Sequence, residues 1–558
     1  MGERRQEKDF GNIRLALFVS INAESQLDVA WVIFKEDGLR TLFRSRSSFF
    51  LPRLLAPALF LLPAAAGAQT ATREKVMAAV PALKALAEQT VAKGEVPGLA
   101  IAVVQDDEVV YLAGFGIRKV GAAEKVDADT VFQLASLSKP ISATIVAALV
   151  GEGVVTWDSR IRDIDPGFAL HEAYPTAEVT IRDLFAHRSG LSGSIGNDIE
   201  TLGYSQGEIL QRLRLGKPGS SFRSAYAYSN FGLTEGAVAA ARVGGKGWEE
   251  TAEEKLYRPL GMGSTSSRYR DFVARANRAA LHVRVDGQWA AFTQRNADPQ
   301  SPAGGASSNV RDLAQWLRLE LAKGKLGDRQ IVDATALEQT HIPAIVPGVD
   351  PQTGVANFYG LGWSVGYRTY GVEWSHAGAF TRGARTVAYL LPDQRLGIVV
   401  LTSAFPTGVP EGLVASFLDM IFEGKPSQDW IAHWNGIYDT AFGAGAQKAA
   451  MAPYASPPAN PGPPLALPAY AGTYTNDYVG NARIEDVGSE LVLHLGPADR
   501  RYALRHFDRD TFLYAPSPET PGWLSAITFA IGPDGKARQA TLDDFNADGL
   551  GVLTRTDK

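Results

Sequence analysis

Ser136 and Lys139 stand three residues apart at the head of an apolar run that extends to Val150. Residues i and i+3 share one face of a helix, so this spacing sets a hydroxyl beside an amine. That pair can act as nucleophile and base in acyl transfer through a covalent serine ester. A lysine amine ordinarily titrates near about 10.4. It serves as a base near neutrality only if desolvation or a nearby positive charge lowers that value. Ser136 also sits at a helix N-terminus, where unpaired amides and the helix dipole favour a developing oxyanion. Ser138 is a competing hydroxyl, but it is not three residues before the lysine.

Two further segments supply what such chemistry needs. Tyr228-Ser229-Asn230 follows the loop Pro218-Gly219-Ser220-Ser221-Phe222 and precedes another apolar helix. Tyr228 is placed to shuttle a proton between Ser136 and a leaving group, and Asn230 to hydrogen-bond a substrate amide. His376-Ala377-Gly378-Ala379 is expected at the end of a strand, where a glycine lets a backbone approach a ligand closely. The amide of Ala379 then becomes a second oxyanion donor opposite that of Ser136. Taken alone, Ser136 could be an N-cap, Lys139 a solvated surface lysine, Tyr228 half-buried packing and His376 a structural histidine.

Positioning these groups requires a rigid frame. Val80, Leu83, Leu86 and Val91 recur at helical spacing and predict a helix over 73–94. Residues 99–104 and 109–115 read as a hairpin turning at Asp106-Asp107, and 371–376, 384–391 and 396–403 as strands. Between about 151 and 340 the pattern is mostly helical. Strands at both ends and helices between predict one antiparallel sheet assembled from the two ends. Residues 426–445 read as a linking helix. Pro453 to Pro468 holds seven prolines, a stiff stretch that cannot form a core. Beyond it, short runs at 482–486, 491–495, 501–504, 511–514, 526–531, 537–543 and 551–554 predict an all-β module.

The fold expected is therefore α+β (an α/β sandwich): an antiparallel sheet flanked by helices with a mostly helical insertion, followed by a barrel-like β domain. The expected domains are an N-terminal extension and signal peptide over 1–68, a hydrolase domain over 72–425, a linker over 426–465 and the β domain over 466–558.

Composition bounds the remaining possibilities. The chain has 558 residues, 45% hydrophobic and 21% charged, with a net charge of −5. This fits a globular protein of two domains and makes nucleic acid an unexpected partner. There are no cysteines, which excludes disulfides and thiolate chemistry. The eight histidines show no ligand spacing, so no metal is expected, and acyl transfer through a serine needs no cofactor.

Arg40, Arg44 and Arg46 precede a short apolar run from Phe49 to Pro63, and Ala66-Gly67-Ala68 supplies small residues for cleavage. This reads as a secretory signal preceded by some forty residues without domain character, with translation starting near Leu42. The run is short and broken by Pro52, Pro57 and Pro63, so the mature chain, beginning near Gln69, is expected to be secreted or periplasmic without a stable membrane span.

The order of the motifs resembles the serine β-lactamase and penicillin-binding-protein-like superfamily, on its class C and esterase side. Ser-x-x-Lys is at 136–139, Tyr-x-Asn at 228–230, and His376-Ala377-Gly378 stands where true lactamases carry Lys-Thr-Gly. Val96-Pro97-Gly98, Leu184 to Leu191 and Tyr359-Gly360-Leu361-Gly362-Trp363 look like the same family, and Tyr470 to Tyr474 opens a segment similar to its appended lipocalin-like module. The resemblance implies Ser136 as nucleophile, Lys139 as base, Tyr228 as acid/base partner, Asn230 as substrate contact and the Ser136 and Ala379 amides as oxyanion hole.

Histidine is mostly neutral near pH 7, so the third motif should bind a carboxylate poorly. An ester or a small amide or peptide is the expected substrate, with poor β-lactam turnover. A peptidase acting on cell-wall fragments and a non-catalytic binding protein built on the β module are the rivals. An α/β-hydrolase is disfavoured on the expectation that the chain has no Gly-x-Ser-x-Gly elbow.

Overall fold

The computed structural model describes residues 70–292, 295–349, 354–516 and 522–556, together with an N-terminal pair of antiparallel strands, Arg14–Val19 and Val29–Phe34. The signal-like run at 49–68 lies outside the described residues.

Helix α1 (Arg73–Ala92) starts where the Thr72 hydroxyl accepts the Lys75 amide, and it buries Val76, Ala79, Leu83 and Ala87 along one stripe. It leads into the hairpin β1 (Gly98–Gln105) and β2 (Glu108–Gly116). The other strands of the main sheet come more than two hundred residues later: β3 (Ile345–Val349), β4 (Ala356–Tyr359), β5 (Ser364–Arg368), β6 (Gly371–Phe380), β7 (Ala384–Leu391) and β8 (Leu396–Thr402). Their order is β3-β4-β5-β6-β7-β8-β1-β2, antiparallel throughout. The join of the two chain ends is the β8–β1 pair, in register from Leu396 opposite Gln105 to Thr402 opposite Leu99.

Alternation along these central strands builds two cores. Leu99, Ile101 and Val103, with Ile398 and Val400, face α1 and the helix Val409–Phe422. Ala100, Ala102 and Val104, with Val399 and Leu401, face the opposite side, where the helix Val310–Leu321 packs. Each buried Leu, Ile or Val adds about 1.5–3 kcal/mol, so strands covered on both faces are held strongly in place. Helix α2 (Ser138–Gly151) is buried on all sides from Ser138 to Leu149. Such a helix belongs to a core rather than a surface, and it fixes its first turn in place.

The insertion between β2 and β3 is mostly helical, as expected, but it also carries a hairpin, Leu281–Val285 with Gln288–Phe292, turned at Asp286-Gly287. β6 does not end at His376 but runs on to Phe380. Ala377, Gly378 and Ala379 are small enough to keep pairing with β7 while another segment packs closely on the strand.

The helices Trp430–Phe442 and Ala444–Met451 lead to the proline-rich stretch. That stretch lies along the C-terminal domain, with the Gly462 amide donating to Asp508 and the Leu465 amide to the Tyr470 hydroxyl. The C-terminal domain is a closed antiparallel barrel of eight strands from Gly472–Asn476 to Val552–Arg555. Gly472–Asn476, which sequence periodicity did not mark as a strand, closes it by pairing with the last strand. Tyr470, Tyr474, Phe512 and Phe529 fill its interior with ring centroids 5.0–5.9 Å apart. Among the described residues no helix is long and apolar enough to cross a membrane.

Candidate active site

Ser136 lies in a single 3-10 turn, Ala135–Leu137, that runs directly into α2. Ala135 holds a left-handed φ of 50°, a conformation that costs a non-glycine residue about 1 kcal/mol or more. The surroundings enforce it. The Leu134 amide donates to the Ala306 carbonyl, the Leu134 carbonyl accepts from Thr386 Oγ1 at 2.7 Å, and Ser138 Oγ donates to the Ala135 carbonyl at 2.7 Å. Ser138 is thereby committed to the turn and is not a free nucleophile.

Lys139 is fully buried. Its Nζ donates to Ser136 Oγ at 3.0 Å, to Asn230 Oδ1 at 2.6 Å and to the Ala303 carbonyl at 2.9 Å. All three acceptors are neutral. Burial, and then the charge of Arg295, hold the amine well below its ordinary pKa. Tyr228 Oη donates to Ser136 Oγ at 2.8 Å, and Lys139 Nζ lies 4.5 Å from the Tyr228 ring centroid. Burial raises the Tyr228 phenol above its ordinary value, so it keeps its proton. Asn230 opens the helix α3 (Asn230–Val243), with the Ser229 side chain capping it through the Gly232 amide. Two helix N-termini thus deliver Ser136, Lys139 and Asn230 to one point, and the loop ahead of α3 adds Tyr228.

His376 donates from Nδ1 to the Ala377 carbonyl at 2.8 Å, which leaves Nε2 to accept from the Tyr359 hydroxyl at 3.1 Å. Burial, followed by the charge of Lys139, pulls its pKa to about 3. It is a neutral imidazole with both nitrogens engaged. Gly378 meets the turn that carries Ser136. A Cβ there would fall on the Leu134 carbonyl oxygen and the Thr386 hydroxyl, and within 2.9 Å of the Leu137 amide nitrogen. Its missing side chain therefore seats β6 against the turn that carries Ser136. Ala379 follows on the stretch of β6 beyond its last β5 partner, Ser375 opposite Ser364.

Several participants carry no local signature. His187 lies with its ring 4.4 Å from that of Tyr228, and its Nδ1 accepts the Ser229 amide at 3.1 Å. Burial first, then the charge of Lys139, keeps it neutral. It buttresses the Tyr228 segment. Arg295 stacks 4.7 Å over the Phe380 ring and is ion-paired with Glu200 at 2.5 Å. Asn197 accepts from Asn230 at 3.2 Å. His187 lies in the family-like stretch 184–191, where a structural role is expected of it, and Tyr359 opens the family-like stretch 359–363. Nothing in the sequence pointed to Arg295, Glu200 or Asn197, which reach the site from distant loops.

One expectation needs correction. A Gly-x-Ser-x-Gly pentapeptide does occur, at Gly203 to Gly207. Its serine, Ser205, is exposed, caps the helix Gln206–Arg212 and is held by Glu208 at 2.7 Å. It follows no strand and faces no base, so it is a helix cap rather than a nucleophile elbow.

The Beta-lactamase family model matches residues 83–416, more than half of the chain. The chain belongs to this family of serine hydrolases. A second model, a domain of unknown function, DUF3471, matches 456–551 and so covers most of the barrel. The family member is 26% identical over 414 residues to the unguisins hydrolase ungD' of Aspergillus campestris (strain IBT 28561), covering 70% of this chain and 74% of that one. It is 26% identical over 333 residues to penicillin-binding protein 4 of Amycolatopsis lactamdurans, covering 56% and 84%. Among solved structures, an octameric penicillin-binding protein homologue from Pyrococcus abyssi superposes with a TM-score of 0.52 at 19% identity, covering 85% of this chain and all of that one. The last likeness extends beyond the β-lactamase-like region and concerns the fold alone.

Proposed function

We propose that this family member cleaves an ester or a small amide or peptide through an acyl-enzyme at Ser136. The observation that carries the reading is the convergence of Lys139 Nζ, at 3.0 Å, and Tyr228 Oη, at 2.8 Å, on Ser136 Oγ. The opposed pKa directions of the two groups divide the roles between them. Lys139, pushed down, is the base that takes the Ser136 proton; Tyr228, pushed up, keeps its proton and relays one to the leaving group. Ser136 Oγ then bonds to the substrate carbonyl carbon. The tetrahedral oxyanion is received by the Ser136 and Ala379 amides, the leaving group departs protonated, and water cleaves the ester by the same relay in reverse. Asn230, which shares Lys139 Nζ with Ser136, serves the substrate as well as Lys139.

Hydrolysis of p-nitrophenyl butyrate by the wild type against Ser136→Ala tests the reading. Activity lost with the hydroxyl supports it, and equal rates in the two proteins refute it for this substrate class. A neutral His376 with both nitrogens engaged offers no cation to a β-lactam carboxylate, so nitrocefin turnover at neutral pH should be poor. A second reading, a D-amino-acid peptidase acting on cell-wall peptides, draws on the relative named penicillin-binding protein 4. Stable labelling of Ser136 by a fluorescent penicillin would favour it. The aromatic filling of the barrel counts against a protein whose work is to bind a ligand there. Export rests on the run at 49–68, and a mature N-terminus near Gln69 on the secreted protein is its test.

A further inference from the structure

The barrel touches the hydrolase domain at a segment that also touches the catalytic lysine's support. Residues 192–204 form a loop around a single helical turn, Asn197–Glu200. On its barrel side, Tyr478 Oη accepts the Gly196 amide at 2.8 Å and donates to Asp198, while Asp548 accepts from Ser192 at 3.2 Å and from Ser194. The Ala498 amide donates to the Leu202 carbonyl at 3.1 Å, and Tyr204 Oη donates to the Val479 carbonyl at 2.7 Å. Tyr478 is 2% exposed, so this is a packed seam rather than a loose contact.

On its other side the same turn faces the site. Asn197 Oδ1 accepts from Asn230 Nδ2, and Glu200 accepts from Arg295 and from Gln300 Nε2 at 2.6 Å. Positions 197 and 200 are i and i+3 and share a face, while 198 points away toward Tyr478.

The amide of Asn230 has a donor end and an acceptor end, and only the oxygen can accept from Lys139. Asn197 donates through its own Nδ2 to the Gly193 carbonyl, so its oxygen is the end presented to Asn230. That fixes the Asn230 amide with nitrogen toward Asn197 and oxygen toward Lys139 Nζ. We propose that the C-terminal barrel orients the Asn230 amide through the Asn197–Glu200 turn, with Tyr478 and Asn197 as positioning residues for Lys139. The barrel is then a working part of the catalytic site rather than an appended module. This rests on the reading of Ser136 and Lys139 as nucleophile and base.

A fluorophosphonate tests it without knowledge of the substrate. Ser136 Oγ bonds to phosphorus, the P–F bond breaks, fluoride leaves, and the serine proton passes to Lys139. Labelling rates are compared for the full chain, Ser136→Ala, Tyr478→Phe, Asn197→Ala and the double variant, with melting followed in each. Tyr478→Phe and Asn197→Ala should each label ~10-fold more slowly, the scale of a small misplacement of a catalytic group. The double variant should be no slower than the slower single, because both cut one chain of contacts.

The acid limb of the rate–pH profile should also move to lower pH in both. Loss of a fixed acceptor destabilises the ammonium of Lys139, while the other groups around it, Ser136, Tyr228, His187, His376 and Arg295, are unchanged. Wild-type rates in Tyr478→Phe, multiplying effects in the double variant, or an unmoved acid limb would overturn the proposal. If Tyr478→Phe unfolds, Asn197→Ala, outside the barrel, decides alone through its rate and its acid limb. A wild type that labels no faster than Ser136→Ala overturns the hydrolase reading and this inference together. Wild-type labelling with indifferent variants overturns this inference only.

Discussion

Lys139 and Arg385 are both long cationic side chains drawn into the hydrolase domain, and burial has opposite consequences for them. Lys139 meets only neutral acceptors, the Ser136 hydroxyl, the Asn230 amide oxygen and the Ala303 carbonyl, and its pKa falls. Arg385, on β7 opposite Ala379, is ion-paired with Glu411 and bonded to Tyr438. Burial works against its charge too, but the Glu411 carboxylate more than offsets this and the net shift is upward. Burial without an anion favours the free amine that a base needs; with an anion the cation is kept and becomes a staple, here tying the helices Val409–Phe422 and Trp430–Phe442 to the strand behind the expected oxyanion hole.

Exchanging chemistry at the first site breaks the comparison most sharply. Lys139→Arg keeps a cation that cannot deprotonate, and kcat/KM for p-nitrophenyl butyrate should fall by ~10^4-fold. At the second site the loss should be in folding. Arg385→Met strands a buried carboxylate and should cost about 3–5 kcal/mol in equilibrium denaturation, much of it recovered when Glu411→Leu is added.

Charge near Lys139 should tune it without abolishing it. Arg295→Met removes the neighbouring cation, so the lysine pKa rises. As the proposed base Lys139 would work deprotonated, so the acid limb of the kcat/KM profile should move to higher pH and the rate at pH 7 should drop severalfold. An unmoved limb would remove Arg295 from the account.

A last expected effect concerns Glu235, where burial favours the uncharged acid just as it disfavours the charge of Lys139. Burial, then the Asp165 charge, raises it from 4.5 to about 8. The folded state therefore keeps a proton that the unfolded chain releases above about pH 4.5, and stability falls as pH rises from there to about 8. Glu235→Gln should flatten that slope in pH-dependent melting.

What could be read from the chain was local. The i, i+3 spacing of Ser136 and Lys139, the stripe of α1 and the alternation of β1 and β8 follow from backbone geometry over a few residues. The two-ended sheet followed from element order, and the motif order carried the resemblance to the family. β6 runs past the expected end at His376 because Gly378, which looks like a strand end in isolation, lets the Leu134–Leu137 turn pack on the strand without breaking its pairing. For the glycine-flanked Ser205, the exposed capping position and not the pentapeptide decides its role.

By itself, then, the sequence determined which residues could do chemistry and which elements would carry them, since both depend on neighbours within a turn or a pleat. Only the tertiary structure decided that Lys139 is dry, that its acceptors are uncharged, that Arg295 and Asn197 attend it from loops far along the chain, and that a barrel residue braces that support. Dielectric and charge act through space, and no pattern along the chain records which distant groups will exclude water from a given amine.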